Sequence, residues 1–298
     1  MMNVSKSTGG PSVLFVLTAA ALLVDFPFGK KTRIISSMHI LRLFAVYLRL
    51  GLLSEMEYRA NFWINLLQSF LELGVALGGL AVVFDHTDTL GGWQPEELLA
   101  LVGVYFLIAG MIRALVQPSM QLFMEDIRKG TLDFKLTKPE DGQLLVSIQR
   151  VEIWRLVDAV VGVIVLGIAL SRMGTQIGLG DALAFGVTLI AGGLIVYSFY
   201  MILATCAFWF VKVENILNIF QSMYQAGRWP VTIYPPWLRW ILTFLIPVAF
   251  ATTVPASAFT GRIELGLLAS SVGLAVVLLI ASRLFWRYGI RFYSGASA

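Results

Sequence analysis

Apolar runs long enough to cross a bilayer recur along the chain, separated by short charged connections. A crossing helix needs ~20 mainly apolar residues. Residues 62–84, 98–123, 151–170, 182–210 and 265–284 meet that length and predict an all-α polytopic membrane protein of about six transmembrane helices. The connection after the first span holds Asp85, Asp88, Glu96 and Glu97 and no Lys or Arg, whereas the next holds Arg128, Lys129, Lys135, Lys138 and Arg150. Basic loops stay in the cytoplasm. The pattern therefore predicts an external first loop, a cytoplasmic loop over 124–150 and, from Arg283, Arg287 and Arg291, a cytoplasmic C-terminus.

The start of the chain differs. Residues 1–37 combine a polar beginning, an apolar run from Val13 to Val24 and a basic cluster of Lys30, Lys31 and Arg33. They are expected to be an N-terminal extension, with a signal-like segment or an extra anchor as the alternatives. Residues 38–61 place Arg42 and Arg49 on one helical face and Leu41, Leu48 and Leu52 elsewhere, which predicts an amphipathic interfacial helix. Glu55 and Arg59 are one turn apart and are expected to pair. The transmembrane domain then occupies 62–298, and Gly74 and Gly78 in its first span have the spacing of a close helix contact.

Between 210 and 265 two readings compete. Hydropathy favours a crossing over Trp237 to Phe259, with 213–236 in the cytoplasm. The rival makes the more polar 214–232 the crossing, so that 234–256, with Tyr234, Pro235, Pro236, Pro247 and Pro255, dips in from outside and returns as a re-entrant hairpin. Broken backbone at membrane depth is tolerated only where protein or a water-filled cavity covers it.

Composition sharpens this picture. Apolar residues form 58% of the 298 and charged residues only 13%, roughly half the charged share of a soluble domain. No water-soluble core hides that much apolar surface. The net charge of +4 and the pI near 9.2 come from Lys and Arg in the connections, where topology puts them, so they do not argue for nucleic acid. Cys206 is the only cysteine, which excludes an internal disulfide and a thiolate metal site. His39 and His86 have no metal-ligand company, so no metal site is expected.

Three ionisable residues lie inside apolar spans: Glu72, Arg113 and Asp158. Counted from the cytoplasmic ends of their helices, each is ~15 Å deep, so they are placed to meet. Arg155, one turn before Asp158, is a candidate fourth member. Charges at such depth pair within the bundle. The pairing either fixes helix packing or serves substrate contact or proton relay. Asn215, Asn218, Ser222 and Gln225 share a helical face that either lines a translocation path or bonds across helices. Trp229, Tyr234, Trp237 and Trp240 are the expected outer aromatic belt.

The charged loop carries the most informative motif. Gly130-Thr131-Leu132-Asp133, followed by Leu136, Lys138 and Pro139, resembles the cytoplasmic loop of ABC-2 type transporter permeases, in particular a bacterial branch. Tyr234-Pro-Pro-Trp-Leu-Arg, Ile246-Pro-Val-Ala-Phe and Val254-Pro resemble that branch's pattern before its last span, and the likeness covers about Met38 to Arg291. Leu132, Phe134 and Leu136 alternate with Asp133 and Lys135, and Gly130 is placed to end a helix. The resemblance implies the re-entrant topology and one half of a dimeric exporter in the bacterial inner membrane. It also implies that Glu125, Asp126, Arg128, Gly130, Thr131, Leu132, Asp133, Leu136, Lys138 and Pro139 couple to an ATPase.

The chain has no Gly-x-x-x-x-Gly-Lys-Ser/Thr phosphate loop; Gly29-Lys30-Lys31-Thr32 comes nearest and lacks the preceding glycine and the hydroxyl directly after Lys30. The expected role is therefore a permease without its own ATPase site or cofactor, with ATP bound by separate nucleotide-binding subunits. A second permease chain, identical or related, and the lipid bilayer complete the expected partners. The alternative is an ion-coupled secondary transporter using Glu72, Arg113 and Asp158. It is disfavoured because the sequence has no evident internal repeat.

Overall fold

The computed structural model describes residue 46 and residues 59–174, 178–210 and 214–293. The expected extension 1–37, nearly all of the interfacial helix 38–61 and the Glu55–Arg59 pair lie outside these residues. Among the described residues the regular structure is helical, with turns and loops between helices and an isolated bridge between Leu90 and Trp93.

α1 (Arg59–Phe84) is followed by the acidic turn and by α2 (Pro95–Met111). A π-helical turn, Ile112–Val116, joins α2 to α3 (Gln117–Lys129), so that 95–129 forms one long rod. α4 (Asp133–Leu136) and α5 (Gly142–Ile148) form the charged connection. α6 (Leu156–Met173) and α7 (Leu179–Thr205) are the next long helices, and α8 (Glu214–Tyr224) is shorter. α9 (Pro236–Trp240), α10 (Val248–Ala251) and α11 (Thr253–Phe259) precede the last long helix, α12 (Leu265–Gly289).

Among the described residues, five helical rods are long and apolar enough to cross a membrane. Contacts at the two ends of the bundle assign the sixth crossing. At the basic end, Phe208 after α7 packs against Phe123 of α3 and Trp286 of α12, with ring centroids 5.8 and 6.2 Å away. At the acidic end, Gly91 lies against Thr232 and Ile233, and Arg262 donates to the Gly92 carbonyl at 2.8 Å and pairs with Glu97 at 2.7 Å. The chain thus passes from the basic end at 208 to the acidic end at 232. α8 and the 3₁₀ turn Gln225–Arg228 rise ~24 Å, most of the ~30 Å hydrocarbon thickness.

Both ends of 234–261 then lie at the acidic end, so this segment enters and returns. Its two arms, Pro236–Leu245 and Val248–Phe259, are bent by 68° from a straight line. Pro247, which has no N–H to donate, sits at the corner after extended Ile246. Val248, Ala251 and Ala256 are fully buried, so protein covers the broken backbone. These contacts favour the re-entrant reading over the hydropathy reading, which scores apolarity without the proline-imposed corner.

Lipid is as apolar as leucine, so close packing rather than water exclusion holds such helices together. The tightest seam is between α2 and α6. A Cβ on Gly110 would fall 2.3 Å from the Ala159 nitrogen, and one on Gly162 would fall 2.4 Å from the Leu107 nitrogen. Among the described residues of the single chain, nothing lies within 4 Å of where the side chains of Gly74 and Gly78 would begin, so the expected contact is not made there. Small-residue spacing is common in apolar helices, and here it marks a different pair.

Candidate functional site

The charges expected to meet do meet. The π turn carries Arg113, and a π turn inside a helix turns side chains out of their ordinary register. Arg113 Nη1 donates to Asp158 Oδ2 on α6 at 2.9 Å, and its Nη2 to Glu72 Oε2 on α1 at 3.1 Å. One arginine therefore bridges two carboxylates from two other helices. Ser69, one turn before Glu72, donates to Asp158 Oδ1, and Gln68 Nε2 donates to Glu72 Oε1 at 3.1 Å.

A fourth charge, Arg228, completes the cluster. Its Nη2 donates to Glu72 Oε2 at 3.2 Å, and its guanidinium lies over the Tyr105 ring, 5.1 Å from the centroid. Two cations now face two anions, so the cluster is neutral as a whole. Asp158 keeps 9% of its side chain exposed, while Glu72, Arg113 and Arg228 keep about a fifth. Arg155, one helical turn from Asp158, does not join. It belongs to a 3₁₀ turn ahead of α6, and its Nε pairs with Glu152 at 2.5 Å. Sequence reasoning missed Arg228, although it stands three residues beyond Gln225, the last of the polar residues already singled out.

That polar face lies on the outside of the single chain. Asn215, Asn218, Ser222 and Gln225 are exposed, while Leu217, Phe220 and Tyr224 on the opposite side are buried. Ser222 donates to its own helix at the Asn218 carbonyl, 3.0 Å away. Of the aromatic belt, Trp237 and Trp240 are exposed at the acidic end and Tyr234 donates to the Ala226 carbonyl at 3.0 Å.

The basic end carries a braced platform. Gly130 closes α3 with φ 69°, a left-handed conformation that glycine adopts without strain. The chain then folds back: Thr131 donates from both its amide and its hydroxyl to Asp126, each at 2.9 Å, and Lys135 pairs with Asp126 and donates to Gln149. Glu125 pairs with Lys129 at 2.5 Å. The alternation at 132–136 proves to be a helical turn, α4: Leu132 is fully buried, Phe134 is 75% exposed, and Leu136 packs beside Gly142. Asp133 opens that turn; Lys138 and Pro139 follow it, exposed, and Arg128 is exposed beside Gly130.

Two further links tie the platform to the spans. Asp141 takes both terminal nitrogens of Arg283 on α12, and Gln143 Oε1 accepts from the same arginine at 2.9 Å. Burial would raise the Asp141 carboxyl pKa, but the hydrogen bonds and charge of Arg283 and the amides of Leu144 and Gln143 outweigh it and hold it below its ordinary value. Ser147 of α5 meets the Tyr197 hydroxyl of α7 at 2.7 Å. Among the described residues, no three His, Cys, Asp or Glu side chains form a metal-ligand set.

The family described as ABC-2 family transporter protein matches residues 70–297, which take in the charge cluster, the platform and the re-entrant segment. No curated protein and no solved structure matches the chain.

Proposed function

The chain belongs to the ABC-2 transporter family as a membrane-embedded permease subunit, and from that premise we propose that it forms one half of a dimeric, ATP-driven export pathway in the bacterial inner membrane. ATP binds to separate nucleotide-binding subunits, which seat on the cytoplasmic platform over 124–150. The C-terminus lies on the same, cytoplasmic side.

The observation that carries this reading is the braced platform. A large apolar side chain, Phe134, stands 75% exposed on a turn whose base is tied to α3 through Asp126 and to α12 through Asp141 and Arg283. A subunit that covers this ring takes it out of water on a support already tied to two spans. A subunit that grips Phe134 and moves would move α3 and α12 with it.

The polar face supports the dimer. Asn215, Asn218, Ser222 and Gln225 are exposed on a crossing segment, where lipid offers their amides and hydroxyl no partners. A second permease chain, identical or related, would enclose them as one wall of a pathway. The charge cluster is internally paired, Glu72 with Arg113 and Arg228 and Asp158 with Arg113, which suits a packing role.

Copurification from native membranes through a tag on this chain tests the reading. The wild type is expected to bring down an ATP-hydrolysing subunit that contains a Gly-x-x-x-x-Gly-Lys-Ser/Thr loop. Phe134→Asp is expected to lose most of that subunit while keeping the elution volume of the permease itself. Full retention by Phe134→Asp would remove the platform from the interface.

A further inference from the structure

Arg228 differs from the other members of the charge cluster in what it is attached to. It is the only cation in 214–228, and it ends the turn Gln225–Arg228. A 3₁₀ turn has three residues per turn. Arg228, one such turn beyond Gln225, leaves the exposed stripe and turns inward, to Glu72 of α1 and to the Tyr105 ring, which also stacks on Tyr224.

Its bond to the cluster is also the one most easily lost. Glu72 Oε2 accepts from Arg113 at 3.1 Å and from Arg228 at 3.2 Å. If Arg228 leaves, Arg113 still holds Glu72 and still holds Asp158 at 2.9 Å. If Arg113 leaves, Asp158 loses its cation. Arg228 engages Glu72 through one nitrogen, and its Nε is buried with no partner among the described residues. Next to it, Gly227 packs so tightly on the re-entrant segment that a Cβ there would fall 2.7 Å from Val248 Cγ1. Segment 214–228 and the re-entrant hairpin therefore shift together or not at all.

We propose that Arg228 is a positioning residue whose bond to Glu72 holds the polar-faced segment 214–228 against α1 in the closed permease, and that this bond breaks on opening while Glu72–Arg113–Asp158 persists. The break is tolerable because Glu72 stays compensated, and the freed guanidinium enters a widened polar pathway with the Tyr105 face beside it. This rests on the ATP-driven reading above.

The test uses the permease assembled with its ATPase subunits in nanodiscs. Arg228→Gln removes the latch, and ATP hydrolysis without transported substrate is expected to rise roughly three- to tenfold, the effect of losing one hydrogen bond of ordinary net strength from the closed state only. Arg228→Lys keeps one donor and the charge, and is expected to return the rate to near the wild-type value. A lower melting temperature with an unchanged or reduced rate in Arg228→Gln would overturn the proposal, since a purely structural bond predicts that result. Should Arg228→Gln fail to assemble, Gln225→Cys in an otherwise intact latch carries the test: its maleimide reactivity is expected to rise with ATP, and equal reactivity with and without ATP would refute the latch. Failure of any ATPase subunit to assemble with the wild type would instead sink the functional reading beneath it.

Discussion

Replacing Arg113 by methionine tests the charge cluster most sharply, because the geometry predicts an order among several variants. The substitution keeps most of the side-chain volume and removes the cation that bridges Glu72 and Asp158. Stripping one partner from a buried ion pair costs about 3–5 kcal/mol. Arg113 and Glu72 are about one-fifth exposed, and discounting for screening leaves about 2–4 kcal/mol. Glu72 falls back on Arg228, so most of that cost sits on Asp158, which keeps only the Ser69 hydroxyl. Removing Asp158 as well should therefore rescue. Arg113→Met with Asp158→Leu leaves the balanced Glu72–Arg228 pair and is expected to recover at least half of the loss. Arg113→Met with Glu72→Leu leaves Asp158 and Arg228 each without its partner and is expected to recover nothing.

The assay is thermal unfolding in nanodiscs, followed by tryptophan fluorescence at one scan rate, because membrane proteins commonly unfold irreversibly and only a ranking at fixed conditions is meaningful. At about 2–4 °C per kcal/mol, a loss of about 2–4 kcal/mol puts Arg113→Met roughly 4–16 °C below the wild type. A loss below about 1 kcal/mol, or a Glu72→Leu rescue as large as the Asp158→Leu rescue, would refute the assignment of the cost to Asp158.

Two other outcomes follow from the architecture. The Asp141 carboxyl is held below its ordinary value of 3.8, so its contribution is fully present above that value and is lost as pH falls through the lowered pKa of the folded state. The stability deficit of Asp141→Asn should accordingly be constant near neutrality and shrink in acid below pH 3.8, measured by melting temperature against pH; a deficit that grows in acid would contradict the Arg283 pairing. In a Cys206→Ser background, single cysteines at Thr232, Glu264 and Asp88 should react with an impermeant maleimide from one face of the membrane and a cysteine at Lys138 from the other. Labelling of Thr232→Cys together with Lys138→Cys would restore the hydropathy topology.

The long helices were legible in the sequence because their signal is length and apolarity, which no tertiary contact has to supply. Expected spans at 62–84 and 265–284 correspond to α1 and α12 at Arg59–Phe84 and Leu265–Gly289. Residues 214–232 were harder: their polar face belongs to a surface that one chain leaves exposed, and only the prolines after it and a family resemblance pointed to a crossing. Gly74 and Gly78 misled because spacing records which residues share a face and not which face meets a neighbour. The true seam, Gly110 against Ala159 and Gly162 against Leu107, depends on how α2 and α6 are rotated toward each other.

The charge cluster was partly legible for the same reason. Depth along a helix is a count of residues at 1.5 Å each, so Glu72, Arg113 and Asp158 could be placed at one level before any packing was known. Direction around the helix is less secure. Arg155 failed because the chain had not yet become α-helical there, and in a 3₁₀ turn a residue three positions back, Glu152, lies directly beneath it. Arg228 was missed for another reason: it lies one turn beyond Gln225 on either count, but it turns inward to Glu72 and Tyr105, a contact between helices that spacing along one helix does not carry. Both errors fall where a helix tightens, and both change which cation serves which carboxylate. The tightened turn at Gln225–Arg228 is also where the polar-faced segment meets the rest of the bundle, through Arg228 on Glu72 and Gly227 against Val248, so the turn that ends the helical count is the turn that joins this segment to the charge cluster.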